Sequence, residues 1–535
     1  MNRILFLLTL FCSVSVFAQS TDPTFDLRDV EGTNYVTSVK SQNGGTCWTH
    51  GVMASIEGNL LMSGLWATTG LTGEPDLSEY HLDWWNGFNS EYNQDTMPDD
   101  GTGLDVHYGG DYRVTSAYLA RGEGAIADTT NYDAWYNNAP HRFAERYNYF
   151  YVRDIDWYTI GDNLERIQTI KNKIVEYGVM GTCMAYDGQF ISSYIHYQPP
   201  SSEMEPNHAV AIVGWNDNKE TGAPEPGAWL VKNSWGSNWG NSGYFWISYY
   251  DKWAGRHPEM GAVSLYNAVE PFFDTIYYHD YHGWRDTKTD VTTAMNAFEA
   301  QDSLLIKAIS FYTAADSVAY TASVYGAFEN EELSDLLGQV SGAIPHTGFH
   351  TIDLLEEILV FGGDRFFIEL QLDKGGQPFD RTSEVPVLLC GDSKKTIVRS
   401  TSRRGQSYYR DADNQWVDFY DEGEPLWVNT GNFCMKAIAD FYTGPLVGNT
   451  NSKESTSTVK VYPQPANNAV NFVLTTNNMA SGNIQVFNTA GQLVETYSVS
   501  GESHFSIAVN QLPSGVYFYR VPTQHGLMHG KFVKN

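Results

Sequence analysis

The clearest hydrophobic periodicity near the start of the chain follows a pair of glycines. Val52, Ile56 and Leu60 recur at every fourth position. That spacing places their side chains on one face of an α-helix. Because the glycine turn ends just before Cys47, the pattern predicts that this cysteine lies at or near the first turn of the helix.

Two later apolar runs predict neighbouring strands. They cover residues 208–215 and 229–235, and the polar segment between them contains two prolines and two glycines, as a long hairpin loop does. A hairpin of this kind places His208 at the start of one strand and Asn233 at the end of the next. The two side chains are therefore expected to lie close together, although 25 positions separate them.

Other elements are predicted between these two regions. Residues 114–119 predict a short helix. Asp162 and Glu165 form a capping-box pattern, which predicts that a second helix begins at Asp162 and ends at Gly178. The apolar run that follows predicts a strand in which Cys183 is buried.

The second half of the chain has a different pattern of apolar and turn residues. Short strand-like runs alternate with turn residues, and helical periodicity is scarce, which predicts an antiparallel β-sandwich. The runs cover residues 304–312, 318–328, 366–372, 396–401 and 433–441. Residues 443–458 are rich in Ser, Thr, Asn and Gly and predict a flexible linker, and residues 459–535 predict a further small β-sandwich domain.

Chain length, charge and composition restrict the number of domains and the kinds of partner that the protein can have. A chain of 535 residues is too long for one hydrophobic core and predicts several domains. Its net charge of −30 argues against nucleic acid or an anionic membrane surface as a partner. Residues 1–18 read as a secretory signal peptide, since Arg3 precedes an apolar run too short to span a bilayer. No later run is long enough to predict a transmembrane segment.

Several motifs, in chain order, resemble those of the papain family of cysteine peptidases. They lie at residues 42–48, 76–79, 109–110, 207–215, 229–236 and 243–245. The resemblance implies an α+β, papain-like fold of two lobes. A helical lobe would carry the cysteine helix, a β lobe would carry the predicted hairpin, and a substrate cleft would lie between them.

The resemblance also implies roles for four residues. Cys47 would be the nucleophile, His208 the general base and acid, and Asn233 the group that orients the imidazole. Gln42 would share the oxyanion with the backbone N–H of Cys47. The predicted place of Cys47 agrees with this chemistry, since the positive end of a helix dipole favours a thiolate.

Substrate contacts are implied for Gly109, Gly110, Asn207 and Trp235. Paired glycines leave room for an extended peptide that forms main-chain hydrogen bonds. The expected substrates are polypeptides, and we expect neither a cofactor nor a metal in this site.

Some features depart from the family pattern, and two of them concern the proposed site. Gln42 precedes Cys47 by five positions, where six is usual, and His50 stands where phenylalanine is usual. His50 lies three positions after Cys47 and so falls roughly on the same helix face. It is therefore either a competing base or a histidine that replaces an aromatic residue in the packing.

The middle and last regions carry resemblances of their own. Residues 268–442 resemble the lectin-like module of some bacterial papain-family proteins, which implies a glycan or surface ligand. Residues 459–535 resemble the C-terminal sorting domain of type IX secretion substrates. That resemblance implies a partnership with the type IX secretion machinery. It also implies a protein that is secreted or attached to the outer-membrane surface of a Gram-negative bacterium.

Three smaller questions stay open at this point. Residues 277–282 form an aromatic patch that either faces a ligand or packs at a domain junction, with a metal at His279 and His282 as a third alternative. The acidic pair at residues 99–100 either binds calcium or is solvated. Cys390 and Cys434 share one predicted domain and are either paired or free.

The sequence thus predicts five segments. They are a signal peptide at 1–18, a papain-like peptidase domain at 22–267, a lectin-like domain at 268–442, a linker at 443–458 and a sorting domain at 459–535. The first hypothesis is a secreted cysteine endopeptidase; an exopeptidase would need a loop that blocks the cleft. The alternative is a catalytically impaired, papain-like surface protein that acts as a glycan- or protein-binding adhesin.

Overall fold

The structure is a computed structural model. It describes residues 22–92, 95, 102–127, 135–387, 394–424, 427–442, 459–463, 465–474, 480–488, 493–523 and 526–535. The predicted signal peptide, the acidic pair at 99–100, Cys390 and the predicted linker lie outside these residues. Cys434 is a free, buried thiol.

Helices lie in the first half of the described chain. They are α1 (Cys47–Met62), α2 (Leu65–Thr68), α3 (Glu79–Trp85), α4 (Tyr112–Ala120) and α5 (Ile167–Tyr177), and a 3₁₀ turn occurs later at Phe419–Asp421. Within the described residues, none of the helices has the length and apolar character needed to span a bilayer.

Strands of the first half surround these helices. They are β1 (Thr24–Asp26), β2 (Ile126–Ala127), β3 (Asn148–Tyr149), β4 (Tyr151–Tyr158), β5 (Met180–Met184), β6 (Ile191–Ser192), β7 (Ile195–His196), β8 (His208–Asn216), β9 (Ala228–Lys232), β10 (Tyr244–Ser248) and β11 (Ala262–Val269).

The middle region is built of strands. They are β12 (Thr275–Tyr277), β13 (Asp286–Lys288), β14 (Thr293–Glu299), β15 (Leu304–Thr313), β16 (Val318–Glu329), β17 (Glu332–Ile344), β18 (Gly348–Val360), β19 (Arg365–Leu372), β20 (Gln377–Asp380), β21 (Ser383–Val387), β22 (Lys394–Val398), β23 (Ser407–Arg410), β24 (Trp416–Asp418), β25 (Asn432–Phe433) and β26 (Met435–Phe441).

The C-terminal region has two small sheets of its own. Its strands are β27 (Val459–Tyr462), β28 (Ala469–Leu474), β29 (Ala480–Phe487), β30 (Leu493–Glu502), β31 (His504–Ala508), β32 (Gly515–Thr523) and β33 (Gly526–Lys534). The sheets have the orders β27-β28-β31 and β30-β29-β32-β33. They share one apolar core that includes Phe472 and Phe532.

Helix α1 begins at Cys47, as the sequence predicts. It is buried far beyond its apolar face, because every residue from Cys47 to Leu60 is inside the protein. The helix packs against strands β5, β8 and β11 on one side and helices α3 and α4 on another. The nucleophile candidate is therefore held at the end of a rigid, central element.

The predicted hairpin is confirmed. Strands β8 and β9 are antiparallel, with Ala211 opposite Lys232 and Asn216 opposite Ala228. Strand β5 pairs with the other edge of β8, and β10 pairs with β9. This four-strand order fixes the relative positions of the two ends where the site residues lie.

The helix predicted from Asp162 is wrong at its start and right at its end. Helix α5 begins five residues later, because Leu164 and Arg166 have positive φ angles of 61° and 73° that interrupt the helical path. Glu165 accepts hydrogen bonds within this turn instead of capping the helix. Gly178 ends the helix as predicted.

The peptidase sheet continues into the middle region. Strand β18 pairs with β4, with Phe349 opposite Ile155, and this contact extends one sheet over both regions. A second sheet, with the order β17-β16-β19-β14-β23-β24, shares a core with strands β15 and β26 of the first. The predicted β-sandwich is therefore confirmed. The predicted boundary at 267/268 falls inside β11.

Candidate active site

His208 and Asn233 form the centre of the site. His208 is the first residue of β8, and Asn233 directly follows β9. Since the two strands are antiparallel neighbours, their ends bring Nε2 of His208 to 2.7 Å from Oδ1 of Asn233. The proximity predicted from the sequence is confirmed.

The orientation of the Asn233 amide follows from a third residue. The backbone N–H of Ser234 donates to the same Oδ1 atom at 2.8 Å. Because a backbone N–H can only donate, the atom it meets must be the oxygen of the amide. Nε2 of His208 therefore carries a proton and donates to Asn233. In the neutral ring, Nδ1 is then the nitrogen that can accept a proton.

Trp235 and burial set the environment of the imidazole. The indole ring of Trp235 stacks on His208, with ring centroids 4.4 Å apart. Burial lowers the pKa of His208 to about 4; the bond to Asn233 opposes this shift, and the nearby His50 and His196 add to it. The ring is therefore neutral at neutral pH and able to act as a base.

Cys47 lies at the N-terminus of α1 and is only 1% exposed. It shares a core cluster with Cys183 and Ala209, which lie opposite each other in β5 and β8. Ala209 directly follows His208, so the cysteine packs in the same region as the start of the hairpin. Cys183 is buried as predicted, and burial raises its thiol pKa well above the ordinary value.

Gln42 connects the cysteine turn to the hairpin. Its backbone N–H donates to Ser234 O at 2.8 Å, and its Oε1 accepts a hydrogen bond from Ser234 Oγ at 2.6 Å. Its Nε2 donates one proton to Gly44 O at 2.9 Å. A primary amide has two N–H bonds, so the second one is left for another acceptor.

The glycine pair packs against the cysteine helix. A Cβ on Gly110 would lie 2.6 Å from the indole ring of Trp48, so a larger residue at this position would clash. Gly109 has a φ of 98°, which favours glycine. These contacts explain the glycines by packing; their contact with a substrate stays a prediction.

Asn207 uses its side-chain amide within the protein. Its Oδ1 accepts from the backbone N–H of Tyr186 at 2.7 Å, and its Nδ2 donates to Tyr186 O at 3.1 Å. These bonds fix the chain just before His208. A substrate contact by Asn207 or Trp235 also stays a prediction.

His107 supports the turn before Cys47, and the sequence analysis did not predict this role. Nδ1 of His107 lies 2.5 Å from Oδ2 of Asp83, its Nε2 lies 2.6 Å from Tyr136 O, and its own carbonyl accepts from Gly45 N. Burial acts to lower the pKa of His107, but Asp83 outweighs it and the pKa is raised. The signal available was the position of His107 just before the glycine pair.

A buried cluster of charged side chains lies beside Asn233, and the sequence analysis did not predict it. Lys40 Nζ lies 2.7 Å from Oε1 of Glu57 and 2.8 Å from Oε1 of Glu79. Lys232, the residue before Asn233, donates to Thr37 Oγ1 at 3.0 Å, and burial lowers its pKa to about 8. Members of this cluster are far apart in the sequence, which is why no local pattern reveals it.

The aromatic patch at 277–282 packs between the two regions. Nε2 of His279 binds Ala297 O at 2.8 Å, whereas His282 lies between Gly87 O at 3.0 Å and Ser400 Oγ at 2.8 Å. Gly87 belongs to the first region and Ser400 to the second. The junction interpretation is confirmed, and the two histidines have different partners.

Comparison with known families agrees with this geometry. A model described as papain family cysteine protease matches residues 107–261. This part of the chain is similar to the papain-family cysteine proteases. A lectin-like domain model matches residues 276–439, and a secretion system C-terminal sorting domain model matches residues 460–535. The sorting domain indicates a protein that is secreted or attached to the cell surface.

Curated relatives match the papain-like region only in part. Bovine (Bos taurus) pro-cathepsin H is 27% identical over 231 residues, which is 42% of this chain and 59% of the relative. Mouse (Mus musculus) procathepsin L is 45% identical over 60 residues, 11% of this chain and 18% of that protein. The chain therefore spans less than two thirds of the length of these relatives.

Solved structures match over a longer stretch. The clostridial cysteine protease Cwp84 after propeptide cleavage has a TM-score of 0.61 at 23% identity, covering 78% of this chain and 99% of that one. The cysteine protease and lectin-like domains of Cwp84 from Clostridium difficile give 0.59 at 23% identity, covering 79% and 90%. The papain-like domain and the β-sandwich thus share their fold with a known two-domain arrangement.

Proposed function

We propose that this protein is a secreted cysteine endopeptidase whose catalytic residues are Cys47, His208, Asn233 and Gln42. The hydrogen bond from His208 Nε2 to Asn233 Oδ1 carries the proposal, because the Ser234 N–H fixes the amide and so leaves Nδ1 of His208 as the base. The position of Cys47 at the start of α1 supports it further.

In the first step, Nδ1 of His208 accepts the proton of the Cys47 thiol, and the sulfur attacks the peptide carbonyl carbon. The resulting oxyanion is bound by the free N–H of Gln42 Nε2 and by the backbone N–H of Cys47. His208 then gives its proton to the leaving amine. The C–N bond breaks, and the acyl group stays on Cys47 as a thioester.

In the second step, neutral His208 takes a proton from a water molecule that attacks the thioester. The tetrahedral intermediate collapses, the C–S bond breaks, and the carboxylic acid leaves. The proton returns from His208 to the sulfur, which restores the thiol. Asn233 and Trp235 keep the ring in one orientation through both steps.

A matched pair of cysteine variants tests this function. Cys47→Ala should abolish hydrolysis of casein-like substrates, whereas Cys183→Ala should keep most of it, since both thiols are buried but only Cys47 lies at a helix N-terminus. Circular dichroism checks that both variants fold. Full hydrolysis by a folded Cys47→Ala protein would refute the proposal.

We propose the adhesin as the second candidate, because the lectin-like domain contains an open, polar cleft of about 340 Å³. Its walls include Asp286, Lys288, Asp290, Glu422 and Trp427. Carboxylates beside an aromatic ring suit a glycan ligand. Binding of the full-length chain to a glycan array, together with a lack of hydrolysis on every peptide tested, would favour this function over the first.

We also propose the domain limits 22–267, 268–442 and 459–535, with a linker at 443–458. The matched ranges 107–261, 276–439 and 460–535 lie inside these limits and support them. The polypeptide substrates and the type IX secretion machinery are the partners that this arrangement implies.

A further inference from the structure

A small cavity lies behind the Asn233 amide. Its walls include His50, Gly51, Ala54, Glu79, Asn233 and Ser234, and its volume is about 20 Å³. That volume has room for one water molecule, which is stable in a cavity that offers two to four polar partners. Helix α1 and Asn233, the residue proposed to orient the imidazole, therefore line the same cavity.

One polar atom at the cavity wall has no partner. Nδ2 of Asn233 is buried and makes no hydrogen bond to any of the described residues. The identity of this atom is fixed, since the oxygen of the same amide already accepts from Ser234 N and His208 Nε2. A buried N–H group without a partner is destabilising, so the amide needs an acceptor on its cavity side.

His50 can supply that acceptor. Its Nδ1 lies 2.8 Å from Thr46 O, and a carbonyl oxygen can only accept, so Nδ1 carries the proton. In the neutral ring, Nε2 then has a free lone pair. His50 is 8% exposed, and its other described ring contact is an edge-on approach to Tyr80 at 6.4 Å.

Burial keeps the His50 ring neutral against the opposing effect of nearby carboxylates. Burial lowers its pKa, and Lys40 acts in the same direction, while Glu79 and Glu57 oppose them. Three more titratable groups surround His50. Lys232 lines the same cavity from β9, and Asp83 interacts electrostatically with His50 from α3. His208 also interacts with His50, which acts to lower the pKa of His208. A neutral ring with Nε2 unprotonated is the form that accepts a hydrogen bond.

We propose that His50 is a positioning residue that accepts a hydrogen bond from Nδ2 of Asn233 through one water molecule in this cavity. Asn233 is then held at both ends of its amide, by Ser234 on the oxygen and by His50 on the nitrogen. The amide cannot rotate, and Nε2 of His208 keeps its proton. The proposal rests on the catalytic role proposed for His208. It makes His50 neither a competing base nor a simple substitute for phenylalanine.

Two variants at position 50 separate hydrogen bonding from packing. Gln can imitate both ring nitrogens, because its amide donates and accepts, whereas Phe keeps an aromatic shape without either function. Thr46 O stays satisfied in both, since it also accepts from the Thr49 hydroxyl at 2.8 Å. His50→Gln should therefore behave like the original protein and His50→Phe should not.

The closing experiment measures His208 directly, independently of peptide hydrolysis. Nitrogen-15 NMR of the labelled full chain should show His208 as a single Nε2–H tautomer in the original protein and in His50→Gln, and as a mixture in His50→Phe. The rate of Cys47 alkylation by iodoacetamide should fall roughly fivefold in His50→Phe and stay within about twofold in His50→Gln. A high-resolution crystal structure should show a water molecule within hydrogen-bond distance of both Asn233 Nδ2 and His50 Nε2.

Three results would overturn the proposal. They are a cavity without a water molecule, a His50→Phe variant whose His208 tautomer and Cys47 alkylation rate match the original protein, and equal losses of alkylation rate in well-folded His50→Phe and His50→Gln. These are distinct from failure of the peptidase function. If the tautomer changes as expected but no peptide is cleaved, the positioning role stands and the peptidase proposal falls.

Discussion

Two helices of the papain-like domain pack on the same strands, β8 and β11, yet they are built in different ways. Helix α5 is amphipathic, with Ile170, Lys171 and Ile174 as its buried face. Helix α1 is buried from Cys47 to Leu60 on every side. One helix covers the sheet, and the other runs through the centre of the domain.

The difference lies in the polar side chains of α1. Ser55 Oγ donates to Val179 O at 2.7 Å, and Asn59 Nδ2 donates to Tyr177 O at 3.1 Å. Glu57 accepts hydrogen bonds from three groups, including the Thr37 hydroxyl at 2.6 Å. Helix α1 is thus fixed by directional bonds that set the position of Cys47, whereas α5 contributes mainly buried apolar surface.

The largest effect on stability is expected at Glu57. Glu57→Ala should lower the free energy of unfolding by about 3–5 kcal/mol, because it removes the most deeply buried carboxylate beside Lys40 and leaves the Thr37 hydroxyl and the Leu77 N–H without their acceptor. Glu176→Ala is the matched control on α5: this carboxylate is 32% exposed and pairs with Lys173 at the surface, so the change should stay below about 0.5 kcal/mol. Urea unfolding measures both, and similar losses would erase the contrast between the helices.

The next effect concerns the apolar face of α5. Ile170→Ala removes a fully buried side chain and should destabilise the protein by about 3 kcal/mol. The rate of Cys47 alkylation in the folded protein should not change, because no residue of α5 belongs to the proposed site. A slower alkylation rate at full folding would show that α5 also positions the cysteine.

Periodicity explains what could be predicted from the sequence. The start of α1, the hairpin and the proximity of His208 to Asn233 all follow from local patterns and from the rule that antiparallel neighbours meet at their ends. Helix α5 was misplaced at its start because positive φ angles at Leu164 and Arg166 leave no signal in residue type.

What could not be predicted depends on distant contacts. The cluster of Lys40, Glu57 and Glu79 forms only when three separate segments meet. The sheet that crosses from β4 to β18 joins residues almost 200 positions apart, so the sequence predicted two separate domains there. The positioning role proposed for His50 depends on a cavity that no single segment of the chain defines.

A smaller effect tests the turn that leads into α1. Gln42→Ala removes one proposed oxyanion donor and should lower kcat/KM about 10²-fold. Gln168→Ala, on α5, removes a hydrogen bond to Asn172 at 2.9 Å outside the proposed site and should leave kcat/KM unchanged. Steady-state hydrolysis of a fluorogenic peptide compares them. Equal rates in the two variants would exclude the oxyanion role of Gln42.

The smallest effect is a pH dependence at the site. The unfolded chain protonates His208 below about pH 6.5, but the folded protein does not until about pH 4, so stability falls as the pH drops through this window. At pH 5, the protonation of His208 in the unfolded chain lowers the free energy of unfolding by about 2 kcal/mol. His208→Gln should lose that part of the acid sensitivity in urea unfolding. An identical pH profile would contradict the low pKa of His208.

The proposed peptidase activity depends on activation of Cys47 by His208 and Asn233. Titration with an irreversible, thiol-directed peptide inhibitor, followed by mass mapping, tests it most directly. We expect one adduct per chain, on Cys47, formed quickly in the original protein and slowly in His208→Gln. An adduct on Cys183 or Cys434, or a folded protein that forms no adduct, would contradict it.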